Sequence, residues 1–136
     1  MDVLQLVQDT LDNSPLGSAG VRVYWGRRGD MDTGANPNEY VIYSQDDDSV
    51  TESADGGILA RTATIAVRYY LSAALARTAV GRPQATERVN LIHEALAAVG
   101  FTFPSGWVDL GDIDDADYSV LVGKFEFARV VDEGAG

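Results

Sequence analysis

The side chains best suited to chemistry in this chain are carboxylates, and the first group to weigh is Asp32-Thr33-Gly34. A dimeric aspartic protease of the retroviral type uses that triplet, with one carboxylate from each of two chains sharing a proton. Val122-Gly123-Lys124 imitates the apolar-Gly element that supports such a loop. The context is wrong, however. The triplet should leave an apolar strand, and here Arg27-Arg28-Gly29-Asp30 precedes it. A solvated turn is the better account of Asp32, and a dimeric protease stands as the alternative enzyme reading.

Two acidic runs invite a calcium site: Asp46-Asp47-Asp48, and Asp112 with Asp114, Asp115 and Asp117. An EF-hand loop needs Gly at its sixth position and Glu at its twelfth. Counting from Asp46 gives Thr51 and Gly57, and counting from Asp112 gives Asp117 and Gly123, so both fail. The runs read as solvated acidic turns. His93 is the single histidine and there is no cysteine, which excludes thiolate metal sites and disulfides and leaves zinc without a ligand set. Arg28-Gly29-Asp30 spells an integrin-type tripeptide, but nothing in the chain suggests secretion. The glycines around it lack the phosphate-cradling spacing that ends in Gly-Lys-Ser/Thr. No catalytic residue, cofactor site or metal site is therefore assigned, and the chain reads as a non-enzyme.

These residues hang on a scaffold with clear periodicity. From Arg61 the odd positions Ala63, Ile65, Val67, Tyr69 and Leu71 are apolar, while Thr62, Thr64 and Arg68 take the other face of a strand. In residues 82–100, Ala85, Val89, Ile92, Leu96 and Val99 repeat at helical spacing, with Pro83 suited to the first turn and Gly100 to the stop. Residues 118–131 form a closing strand in which Leu121, Phe125 and Phe127 oppose Lys124 and Glu126. Earlier, residues 1–12 form an amphipathic helix with Val3, Leu4, Val7 and Leu11 on its stripe. Residues 21–25 and 39–44 form strands. Between these, residues 26–38 read as a long exposed loop, and residues 45–57 as a second loop or the tip of a long hairpin. Residues 72–81 read as a strand end, turn or short helix, and residues 107–110 could add a short strand.

The expected fold is α+β. It is a small, mostly antiparallel sheet of about four strands with two helices on one face, in the order α-β-β-β-α-β. One domain fills residues 1–136, with a frayed tail at 132–136. The chain is long enough for a core without staples. Its start lacks the basic and apolar regions of a signal peptide, and no segment nears the roughly 20 apolar residues that span a bilayer. It reads as soluble and cytoplasmic. A net charge of −11 argues against sustained nucleic-acid binding, because phosphate contacts need a basic face.

The order of elements resembles the tail terminator proteins of long-tailed bacteriophages, also described as tail-completion or neck proteins. The resemblance covers nearly the whole chain. It rests on the short N-terminal helix, on VRVYW, on EYVIYS leading to RTATIAVRYYL, on RVNLIHEALAAVG and on the closing YSVLVGKFEFARV. It implies a sheet with helices on one face, assembled as a homohexameric ring in the virion neck after assembly in the bacterial host's cytoplasm. The implied partners are further copies of the chain, the tail-tube protein below and the head-completion connector above. DNA would pass through without specific binding, and no membrane is involved. Another neck or tail-tube role is the neighbouring alternative. The interface residues expected under this reading are Arg27 and Arg28, the acidic Asp46, Asp47 and Asp48, and the strand-face residues Thr62, Thr64 and Arg68.

Overall fold

The computed structural model describes residues 3–26, 39–52, 58–103, 106–113 and 118–130. Within them the order is α1 (Val3–Asp12), α2 (Pro15–Ser18), β1 (Arg22–Trp25), β2 (Glu39–Glu52), β3 (Ile58–Ser72), α3 (Ala73–Ala76), α4 (Gly81–Ala98), β4 (Val108–Ile113) and β5 (Tyr118–Val130). The expected α+β class holds. The count differs, with five strands in one sheet ordered β1-β2-β3-β5-β4, and two four-residue helices beside the two long ones. The extra strand is β4, which continues through Gly111 to Ile113 where the sequence suggests an acidic turn. Asp32-Thr33-Gly34, Arg27, Arg28 and the tail at 132–136 lie outside the described residues.

The sheet is mixed. β1 runs parallel to β2, from Arg22 opposite Tyr40 to Trp25 opposite Tyr43, and every other pairing is antiparallel. A parallel neighbour requires a connection of about a dozen residues or more. That requirement accounts for the length of the stretch between Trp25 and Glu39, which the sequence alone shows only as a long loop.

Alternation then sorts the side chains onto two faces. Val41 and Tyr43 of β2, Ala63, Ile65, Val67, Tyr69 and Leu71 of β3, and Phe125 of β5 are buried on one face. Val3, Val7 and Leu11 of α1 and Val89, Ile92 and Leu96 of α4 close over it, so both long helices cover the same side. The opposite face carries a smaller cluster of Tyr40, Ile42, Tyr70 and Val120, with Tyr24 and Tyr118 against it. Tyr40 and Tyr70 stack there at 4.7 Å between ring centroids, and Tyr118 meets Tyr40 edge-on.

Helix ends follow sequence chemistry. Ser14 caps α2, its Oγ accepting from the Leu16 amide at 3.2 Å while donating to the Leu11 carbonyl at 2.6 Å. α4 stops in a Schellman turn. The Phe101 amide bonds the Leu96 carbonyl and the Gly100 amide bonds the Ala97 carbonyl, with Gly100 at φ 105°. Phe101 and Leu96 are both core residues, which adds the apolar contact usual in this motif. Gln8 fastens α1 to the sheet: its amide donates to the Val23 carbonyl and its oxygen accepts from Tyr43 Oη at 2.8 Å.

Candidate interaction surface

β2 and β5 outrun their outer neighbours. β1 stops at Trp25 opposite Tyr43, and β4 covers β5 only as far as Val122. Among the described residues, β2 from Ser44 onward is therefore paired only on its β3 side. The beyond-edge part of β5 carries a single bridge to Thr102, whose amide and carbonyl bond those of Glu126 at 2.8 and 2.9 Å. The result is a three-stranded arm that projects past the five-stranded body. Residues 45–52 thus belong to a strand, and the hairpin form of the two sequence readings is the one found.

The arm gathers residues that the sequence presents separately. Asp47 pairs with Thr64, Asp48 with Ala63 and Ser49 with Thr62, while the register shift between Gln45 and Asp47 leaves Asp46 at a bulge. A bulge on an edge strand limits where a further strand can pair. Thr62 and Thr64 sit on β3, which is bonded on both sides, so they offer a half-buried face and not an edge. Arg68 lies lower on the same face, opposite Ile42 and Val122. It is half-buried, and its side chain forms no hydrogen bond or ion pair among the described residues.

Where β1 ends, a cleft of about 640 Å³ opens at the sheet edge. Leu4 and Trp25 line it from the helix side, Ile42, Arg68 and Tyr70 from the other side, and Ser44 and Gln45 between them. Trp25 is 62% exposed although it shares a face with buried Val21 and Val23. The strand ends there, and no described residue of β1 continues over the ring. At the far edge of the sheet, Val108 and Leu110 of β4 are 51% and 49% exposed. β4 bulges between Asp109 and Gly111, where Gly111 takes φ 72° and its amide bonds Asp109 Oδ1 at 2.8 Å.

One buried polar cluster is a second candidate. Glu39 is 8% exposed at the start of β2. Its Oε2 accepts from Tyr69 Oη at 2.6 Å, Gln84 Nε2 at 3.1 Å and Arg88 Nε at 3.3 Å. Burial pushes the Tyr69 hydroxyl well above the usual tyrosine range, and the hydrogen bond to Glu39 and the Glu39 charge raise it further. All three donors converge on one carboxylate oxygen, which suits a clamp between sheet and α4 better than a reacting centre. The sequence gives no sign of it, since Glu39 stands in a strand start that reads as ordinary.

Other sequence-flagged residues resolve into packing. His93 is exposed on α4 with its ring 5.2 Å from that of Phe103. Among the described residues, no group of three His, Cys, Asp or Glu side chains could hold a metal. No helix among them is long and apolar enough to cross a membrane. Gly123, part of the protease-like triplet, serves aromatic packing. A Cβ there would lie 2.9 Å from the rings of Phe103 and Trp107, and Phe103 stacks on Phe125 at 4.3 Å. Gly123→Ala is expected to cost about 1–3 kcal/mol as those rings give way. Near-UV circular dichroism and the denaturation midpoint check this; an unchanged midpoint would mean the rings have room. Comparison with protein families and with curated proteins finds no family model and no relative that matches the chain.

Proposed function

We propose that this chain is a structural subunit of a phage tail terminator ring, capping the tail tube and presenting a docking face to the head connector. The observation that carries the reading is a small sheet with exposed apolar side chains at both outer strands, Trp25 on β1 and Val108 and Leu110 on β4, and an arm that runs past them. Surfaces of this kind suit assembly, where apolar anchors on opposite edges meet different neighbours. The element order resembling terminator proteins adds to it. Six copies on one tube would bind by avidity without any bond chemistry. The net charge of −11 suits a ring through which DNA passes without adhering. On this reading the charge of the acidic runs, of which Asp114, Asp115 and Asp117 lie outside the described residues, is what keeps DNA from adhering, and a ring with Asp46–Asp48 and 112–117 all outward would exclude that role.

Native mass spectrometry and negative-stain imaging test the proposal, with the protein alone and with tail tubes added. Six-fold rings, or caps on tube ends, are the expected result. A monomer that neither assembles nor caps tubes would overturn it.

A further inference from the structure

We infer that the cleft at the end of β1 is a docking site for an extended segment of a different protein, a mostly apolar strand with one carboxylate placed over Arg68. The inference goes beyond the ring reading and does not depend on six-fold assembly.

The cleft has the form that an added strand needs. It lies at a sheet edge where β2 from Ser44 onward is unpaired on one side among the described residues, and it is lined from both faces of the sheet. A strand laid along that edge bonds through its main chain and sends alternate side chains to opposite faces. The two faces ask for different chemistry. On the helix side Leu4 and the exposed Trp25 ring offer an apolar ledge, and on the other side Arg68 offers a cation. A half-buried guanidinium in a chain of net charge −11, with no ion-pair partner among the described residues, is the natural seat for a carboxylate brought by another molecule. The fitting segment therefore carries an acid with apolar side chains on either side of it.

A second copy of the chain fits less well. In a head-to-tail ring the strand a neighbour would offer is the opposite edge among the described residues, β4, where Val108 pairs with Val122 on the face that Arg68 shares, and Asp109 pairs with Leu121 on the helix face. In a closed ring the helices of every copy stay on one side of a continuous sheet. β4 of a neighbour would then bring Asp109 to Trp25 and Val108 to Arg68, the reverse of what the cleft favours. Hence a different protein.

The probe is the blocked peptide acetyl-Thr-Val-Glu-Val-Thr-amide, with its Gln counterpart as control, titrated into the full chain while Trp25 emission is followed. Saturable blue-shifted emission is expected with the Glu peptide and is lost in Trp25→Phe. Affinity should fall about tenfold or more for the Gln peptide and for Arg68→Gln, and be partly kept in Arg68→Lys. Unchanged circular dichroism establishes that the variants fold. Equal binding of both peptides, indifference to Arg68→Gln, or no shift up to about 1 mM peptide would overturn the inference. Loss of self-assembly in Arg68→Gln without peptide binding would overturn it in favour of a second copy. A wild type that neither assembles nor caps tubes, yet binds the Glu peptide, would instead sink the ring proposal alone.

Discussion

Gly81→Val is expected to be among the most damaging single substitutions in the described core, lowering stability by about 3 kcal/mol or more. Gly81 opens α4 directly after the α3 turn, and it is buried. A Cβ at this position would fall on the Leu75 carbonyl oxygen, 2.7 Å from its carbon and 2.8 Å from Ala76 Cα. All three are backbone atoms, so no rotamer change relieves the clash, and the turn that joins β3 to α4 must move. Gly20→Ala is the contrast. Gly20 has φ 82° but nothing within 4 Å of an added methyl, so its cost is the left-handed backbone alone, about 1–2 kcal/mol. A thermal scan should show Gly81→Val melting roughly 10 °C or more below wild type. Equal losses in the two variants would mean that backbone conformation, and not space, decides both.

Gly81 also marks what the sequence does and does not make legible. Periodicity in Ala63–Leu71 and in Val89–Leu96 identifies the core faces of β3 and α4, because local alternation is enough to bury a side chain. Gly100 reads correctly as a stop because the αL turn it forms is local too. Pairing is not local. That β1 lies parallel to β2, that β3 is central, and that Asp47 meets Thr64 depend on which strands find each other across the chain. Residues 45–52 read as polar loop as readily as strand, since β3 supplies the partner edge that makes them one. The candidate surface suffers most from this. Arg68 and the acidic run are visible as residue types, but the cleft needs the point where β1 ends, and the exposure of Trp25 follows from that endpoint. The Glu39 cluster needs helix packing on the sheet, which no single segment encodes.

That cluster supplies the second large effect. Glu39→Leu is expected to cost about 3 kcal/mol, the lower end for breaking a buried charge pair. It would leave Arg88 and Gln84 without their carboxylate and the Tyr69 hydroxyl without an acceptor in a site where Tyr69 is 1% exposed. The lower end applies because the Arg88 side chain keeps 16% of its exposure and can turn toward Glu87, which it already meets at 3.5 Å. Tyr69→Phe should cost less, about 1 kcal/mol for one hydrogen bond, since the carboxylate keeps its two nitrogen donors. The pH profile separates a clamp from simple packing. Because burial and Glu39 raise the Tyr69 hydroxyl above its ordinary value near 10, the native state keeps that proton after the unfolded chain has lost it. Its contribution is complete below pH 10 and declines above it, by about 1.4 kcal/mol per pH unit while only the unfolded chain is ionised. The stability difference between wild type and Tyr69→Phe, measured by urea denaturation from pH 8 to 11, should therefore shrink and then reverse sign on the alkaline side. A difference that stays constant across that range would show that the hydroxyl titrates alike in both states and that Glu39 does not hold it.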